Sequence, residues 1–173
     1  KWMPDLMSRQ DRHNEIEINF FPSCEMTYLF HDRKIVVPSR KLIAFWGLIP
    51  HQIVGYDECT PYYVCTVPFS MFLGWNLPSS FVDMILKGNV LVDSETEFAA
   101  HDEFMFSHWV KDIRQPSKQS LIRMELHARL IRMADSLSET GSNILMKDYE
   151  TNVVEQIAVY IAVSYTHLRA HET

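Results

Sequence analysis

The sequence predicts an α+β domain: a mainly β first half forming an antiparallel barrel or jelly roll, then helices packed against it. Three observations carry this. Short runs rich in β-branched and aromatic residues recur between residues 15 and 67, separated by turn residues. From Ser80 onward, apolar residues recur instead at helical spacing. The chain has 173 residues and is 47% hydrophobic, enough for one well-packed core.

Ile16-Glu17-Ile18-Asn19-Phe20 alternates apolar and polar residues, the period of a strand with two unlike faces. Met26–Phe30 is a second strand after the Pro22-Ser23 break. His31-Asp32-Arg33 reads as a hairpin turn into Lys34–Val37. Pro38-Ser39 interrupts the chain before Leu42–Trp46. After Gly47 a short segment runs through His51 to Val54, and Tyr62–Val67 completes the strands. Ser80-x-x-Asp83 marks a helix start, with Gly88 suited to its stop. Ser94-x-x-Glu97 reads as a capping box, and Phe98, Met105, Phe106, Trp109, Val110 and Ile113 share the following helical face. Pro116 ends that helix and Ser117 can cap the next. There Ile122, Leu126, Leu130, Met133 and Leu137 form an apolar stripe, with Arg123, Arg129 and Arg132 mainly off it. Glu125 and Arg129 have the i,i+4 spacing of a helix-stabilising pair.

The expected organisation is one domain over residues 1–138, with the barrel at about 10–78 and helices at about 80–137. The polar stretch 139–152, containing Gly141-Ser142-Asn143, reads as a linker. An amphipathic helix is expected over 153–163. Residues 164–173 do not continue its pattern and read as a non-native tail. The chain starts at Lys1 rather than Met, so the natural N-terminus is expected upstream.

Composition narrows the function classes. No apolar run is long enough to span a bilayer, and no signal peptide is visible, so no membrane partner is expected. The three cysteines, Cys24, Cys59 and Cys65, form no C-x-x-C pair. That argues against a disulfide framework or zinc site and for a reducing cytoplasm. The net charge of −6 argues against a self-sufficient DNA-binding surface.

Three stretches carry a family resemblance: His13–Asn19 with Tyr28-Leu29; Ile43-Ala44-Phe45-Trp46-Gly47-Leu48-Ile49-Pro50-His51-Gln52; and Val67–Leu77. With these, the region from His13 to Leu77 resembles the N-terminal cupin sensor domain of AraC-family transcription regulators, in particular sugar-responsive ones. The helices to Leu137 agree in order, more loosely. The helix at Val153 looks like the first of the family's DNA-binding domain, whose two helix-turn-helix units do not follow. The resemblance implies a homodimeric sensor, paired through its helices, that meets DNA only through that absent C-terminal domain.

The candidate site grows from the first strand. His13, Glu15, Glu17 and Asn19 share one face. By periodicity alone, such a face either turns to solvent, the commoner case, or lines a polar cavity; the resemblance places it along the cupin cavity. A sugar needs polar partners for its hydroxyls and an aromatic face for its C–H surface. His13, Glu17 and Asn19 can supply the first, and His51 either a further contact or merely a loop histidine. Trp46 is either the stacking face or an ordinary core aromatic. His13-x-x-x-Glu17 with His51 also resembles the metal ligands of enzymatic cupins, with Asp11 where a histidine is usual. The expected function is a non-enzymatic, cofactor-free sugar sensor controlling carbohydrate-utilisation genes. The alternative is a metal-dependent cupin enzyme, such as a sugar isomerase or dioxygenase.

Overall fold

The computed structural model describes residues 3, 5–57, 61–93, 95, 97–140 and 144–146, apart from the side chains of 138–140. Six strands come first: β1 (Glu15–Phe20), β2 (Met26–Phe30), β3 (Arg33–Val37), β4 (Leu42–Trp46), β5 (His51–Tyr56) and β6 (Tyr63–Pro68). Two short helices follow, α1 (Phe69–Gly74) and α2 (Ser79–Leu86). Then come β7 (Val90–Val92), α3 (Ala99–Asp112), a 3-10 turn at Pro116–Lys118, α4 (Gln119–Thr140) and β8 (Ile144–Met146).

The strands divide between two antiparallel sheets, ordered β6-β1-β4-β7-β8 and β3-β2-β5. The barrel of the sequence expectation is therefore not closed, because no ladder joins the sheets at either side among the described residues. Alternation along each strand explains the layering. Ile16, Ile18 and Phe20 of β1, with Leu42, Ala44 and Trp46 of β4, face α1–α4 and build one core with Phe72, Phe81, Phe106, Leu126 and Leu130. The opposite face, with Ile43 and Phe45, meets Met26, Tyr28 and Phe30 of β2 in a second core between the sheets. The molecule is thus layered as helices, large sheet and small sheet.

The α4 stripe behaves as its spacing predicts: Ile122, Leu126, Leu130, Met133 and Leu137 are all buried. Several expectations are corrected. α3 begins at Ala99 after Phe98 with no side-chain cap, and Val110 and Ile113 are exposed although on the predicted apolar face. The buried face of α3 is Met105, Phe106 and Trp109, with Phe106 stacked on Phe20 of β1 and Tyr63 of β6. Ser117 lies inside the 3-10 turn, two positions before α4 begins at Gln119. Arg129, expected off the buried stripe, is 2% exposed. Its partners are Asp93 and Asp102, while Glu125 accepts the indole N–H of Trp109 at 2.7 Å. Cys24 is disulfide-bonded, a pairing that cysteine spacing alone cannot reveal; Cys65 is a free thiol.

Gly88 does close α2. It holds φ 76°, its N–H reaches the Ile85 carbonyl, and the Asn89 N–H reaches Met84. These paired bonds satisfy the last carbonyls of a helix ending on a left-handed residue. β8 lies within the stretch read as a linker, where it pairs with β7. The rest of that stretch from 141 on, the expected helix at 153–163 and the tail at 164–173 lie outside the described residues.

Candidate functional site

A cavity of about 540 Å³ opens between the sheets, within the roughly 300–1,000 Å³ of small-molecule sites. β1 forms its floor. Because β1 pairs with β4 and β6, Glu17 stands beside Phe45 and Thr66, while its neighbours Ile16 and Ile18 turn to the helices. The pattern read as a polar face is therefore a polar wall of a buried space.

Glu17 is the centre of this wall. Its Oε1 lies 2.8 Å from His13 Nε2 and 3.3 Å from His51 Nε2. Its Oε2 accepts from Asn19 Nδ2 at 2.9 Å. Burial alone would raise the Glu17 carboxyl, but the hydrogen bonds from His13, His51 and Asn19 outweigh it and lower the pKa to about 2. Glu17 is thus a buried carboxylate, ionised across the physiological range.

His13 precedes β1 and is held by backbone pairing to Gly47, whose carbonyl accepts its N–H at 3.0 Å. Its second ring nitrogen lies 2.8 Å from Glu15 Oε2. The bond to Glu17 raises its pKa above the usual value, against the opposing effect of burial. The ring packs over Gly47: a Cβ there would lie 2.2 Å from His13 Cε1. His51 opens β5 and is 3% exposed. It bridges to Asp11, and its Nδ1 meets the Ile49 carbonyl at 2.8 Å. A carbonyl only accepts, so Nδ1 donates to it, and the ring's Nε2 is turned toward Glu17.

Asn19 is fully buried behind this pair. Its Nδ2 also donates to the Tyr28 hydroxyl at 3.2 Å, and among the described residues its Oδ1 has no hydrogen-bond partner. It orients the wall rather than lining the cavity. Trp46 does not join these residues. It pairs in register with Ile16, so it faces the helices, stacked on Phe69 with ring centroids 4.9 Å apart, and its indole N–H reaches Asn14. The residue one place earlier, Phe45, is the aromatic beside His51, edge-on at 5.2 Å.

Sequence reasoning missed Tyr28, Tyr62 and Thr66, which complete the lining with Met7, Ile53 and Val64. The signal for Thr66 was its strand register with Glu17, visible only once β1 and β6 are paired. Burial, then the Glu17 charge, raise Tyr28 well above the usual phenol value and Tyr62 to about 12. Both therefore remain hydroxyl donors. Asp11, His13 and His51 offer ligand atoms within 4.8 Å of one another, a grouping that can hold a metal ion.

With this geometry in place, the relatives become informative. The chain is similar to the melibiose operon regulatory protein of Escherichia coli strain K12. They share 22% identity over 116 residues, and the same figures hold for that protein in E. coli O6:H1 strain CFT073. The match covers 67% of this chain and 38% of either relative. The chain therefore spans well under half the length of the curated relatives it matches. This is a distant similarity to a protein named as an operon regulator. No protein-family model matches the chain, and no solved structure matches it significantly. Among the described residues, no helix is long and apolar enough to cross a membrane.

Proposed function

We propose that this chain is the ligand-sensing domain of an AraC-type transcription regulator, and that the cavity between its sheets binds a sugar or glycoside to control carbohydrate-utilisation genes. The observation that carries this reading is the burial of Glu17 and His51, brought together from the two sheets at a cavity of sugar size, with Asn19 buried behind Glu17. Buried groups that can pair with hydroxyls discriminate strongly between ligands. The similarity to a protein named for a melibiose operon supports the regulatory role. We read the two sheets as an open jelly roll of cupin type, working without a cofactor or catalysis. His13, Glu17 and His51 contact ligand, and Asn19 supports them. DNA contact falls to other parts of the regulator, since a net charge of −6 opposes it here. A homodimer forms through the helices, where Leu121, Met124 and Ile131 lie exposed along one side of α4 at spacings of a packing seam. Ligand changes gene expression by favouring one of two domain states.

The test is calorimetric titration of the protein with α-galactosides, β-glycosides and pentoses. Glu17→Ala should weaken the sugar that binds by about tenfold or more, with cooperative melting retained. Unchanged affinity would remove Glu17 from the site.

A second reading is favoured by the convergence of Asp11, His13 and His51. Two imidazoles with carboxylates suit iron, manganese or zinc, and the His51 bond to Ile49 is the kind that orients a metal-binding imidazole. A bound ion would supply Lewis-acid polarisation of a sugar oxygen, making the protein an isomerase- or dioxygenase-like enzyme. Stoichiometric, tightly held metal on elemental analysis of the purified protein favours this reading; metal-free protein that binds sugar favours the sensor.

A further inference from the structure

Resting on the reading of this cavity as a sugar site, we propose that it selects uncharged sugars and excludes their phosphate esters and uronic acids. The lining places three carboxylates, Asp11, Glu15 and Glu17, around the space, and none of its residues is lysine or arginine. The ring nitrogens of His13 are already engaged, each 2.8 Å from a carboxylate oxygen of Glu15 or Glu17. An entering anion would lose its hydration, meet a buried carboxylate at the floor and find no free counter-charge. Phosphate recognition relies on cationic or clustered N–H donors, which this lining does not present.

A neutral sugar finds complementary partners. Glu17 accepts hydroxyl protons. The Tyr28 oxygen already accepts from Asn19, so its own proton is available to donate to a ligand oxygen. Tyr62, held protonated by its surroundings, adds a second donor. Acceptors at the floor and phenolic donors beside it match a polyol, whose every hydroxyl both donates and accepts.

The experiment titrates the full 173-residue chain calorimetrically with methyl galactoside, methyl glucoside and methyl arabinoside. Each is compared with the corresponding sugar phosphate and, for the hexoses, the uronic acid. The expected result is at least one neutral probe bound, with its anionic counterparts weaker by about a hundredfold or more. In Thr66→Lys, which adds a cation at the exposed rim opposite Glu17, that gap should narrow about tenfold. Anionic probes binding within about threefold of the neutral one overturn charge selection and leave the sugar-sensor reading standing. A gap unmoved by Thr66→Lys also overturns it, because shape rather than charge would then do the excluding. If folded protein binds no sugar of either kind, the sugar reading fails and this proposal falls with it.

Discussion

Arg129 of α4 and Asp93 at the end of β7 are 36 positions apart in the chain and 2.5 Å apart in space. The same guanidinium grips Asp102 of α3 through two bonds, at 2.6 and 2.9 Å, and lies over the Phe98 ring. Ser136 donates to the other oxygen of Asp93. This charged knot fastens the helices to the large sheet.

Removing the cation strands two buried carboxylates. Arg129→Met should lower stability by about 3–5 kcal/mol in urea titration. The triple replacement Arg129→Met, Asp93→Leu, Asp102→Leu should recover much of that loss, because well-packed apolar groups replace buried ion clusters at little cost. A loss below about 1 kcal/mol in the single variant would contradict the burial described here.

The Glu17–His13 pair gives stability two pH limbs in metal-free protein. Glu17 has a folded pKa of about 2, below its usual 4.5. Its contribution is present above 4.5 and is lost as pH falls toward 2, on the order of 3 kcal/mol in all. His13 has a raised folded pKa, so its contribution is complete below 6.5 and fades as pH rises through the raised value. Thermal melts should therefore peak between about 4.5 and 6.5 for this pair. Glu17→Gln should flatten the acid limb and His13→Gln the alkaline one.

Trp46→Ala separates core from pocket. The indole fills the space above Phe69 on the helix side, so truncation should cost about 3–5 kcal/mol. Sugar affinity, measured below the variant's melting range, should stay within about twofold. A large loss of affinity with normal stability would put Trp46 at the ligand after all.

The proposed helix-mediated dimer rests on apolar side chains that face solvent in the single chain. Leu121 is 42% exposed and Met124 62%. Replacing both with Glu should convert a dimer to a monomer by sedimentation equilibrium, with a melt little changed. A wild type that sediments as a monomer at high concentration would remove this surface from the interface.

Much of the fold was legible because six strands announce themselves by composition and breaks. β7 and β8 were not: each is three residues long, and tertiary pairing rather than local preference makes them strands. The polar wall of Glu17 and Asn19 was readable from period-two alternation, but which face was buried depended on a second sheet closing over it. Trp46 shows the same limit. Its stacking role was inferred from residue type, whereas its direction was decided by pairing with Ile16. Arg129 looked like a surface charge because its partners lie 27 and 36 positions away.

Gly47→Ala tests how tightly His13 is seated. The added methyl would meet the imidazole at 2.2 Å, so the ring should swing from Glu17. The carboxyl, losing a donor, should then titrate at a higher pH when followed by carbon-13 NMR. An unchanged Glu17 titration would show that the ring can accommodate the methyl.

That close approach also shapes how this cavity can change over generations. One lining histidine exists in its place only because an atom is missing across from it, so drift at position 47 disturbs the floor of the cavity from outside its lining. Val64 and Thr66, standing on β6 at the large sheet's edge, carry no such constraint. The two parts of the lining are thus unequally open to change: a substitution on β6 stays within its own strand, whereas one at position 47 also displaces His13.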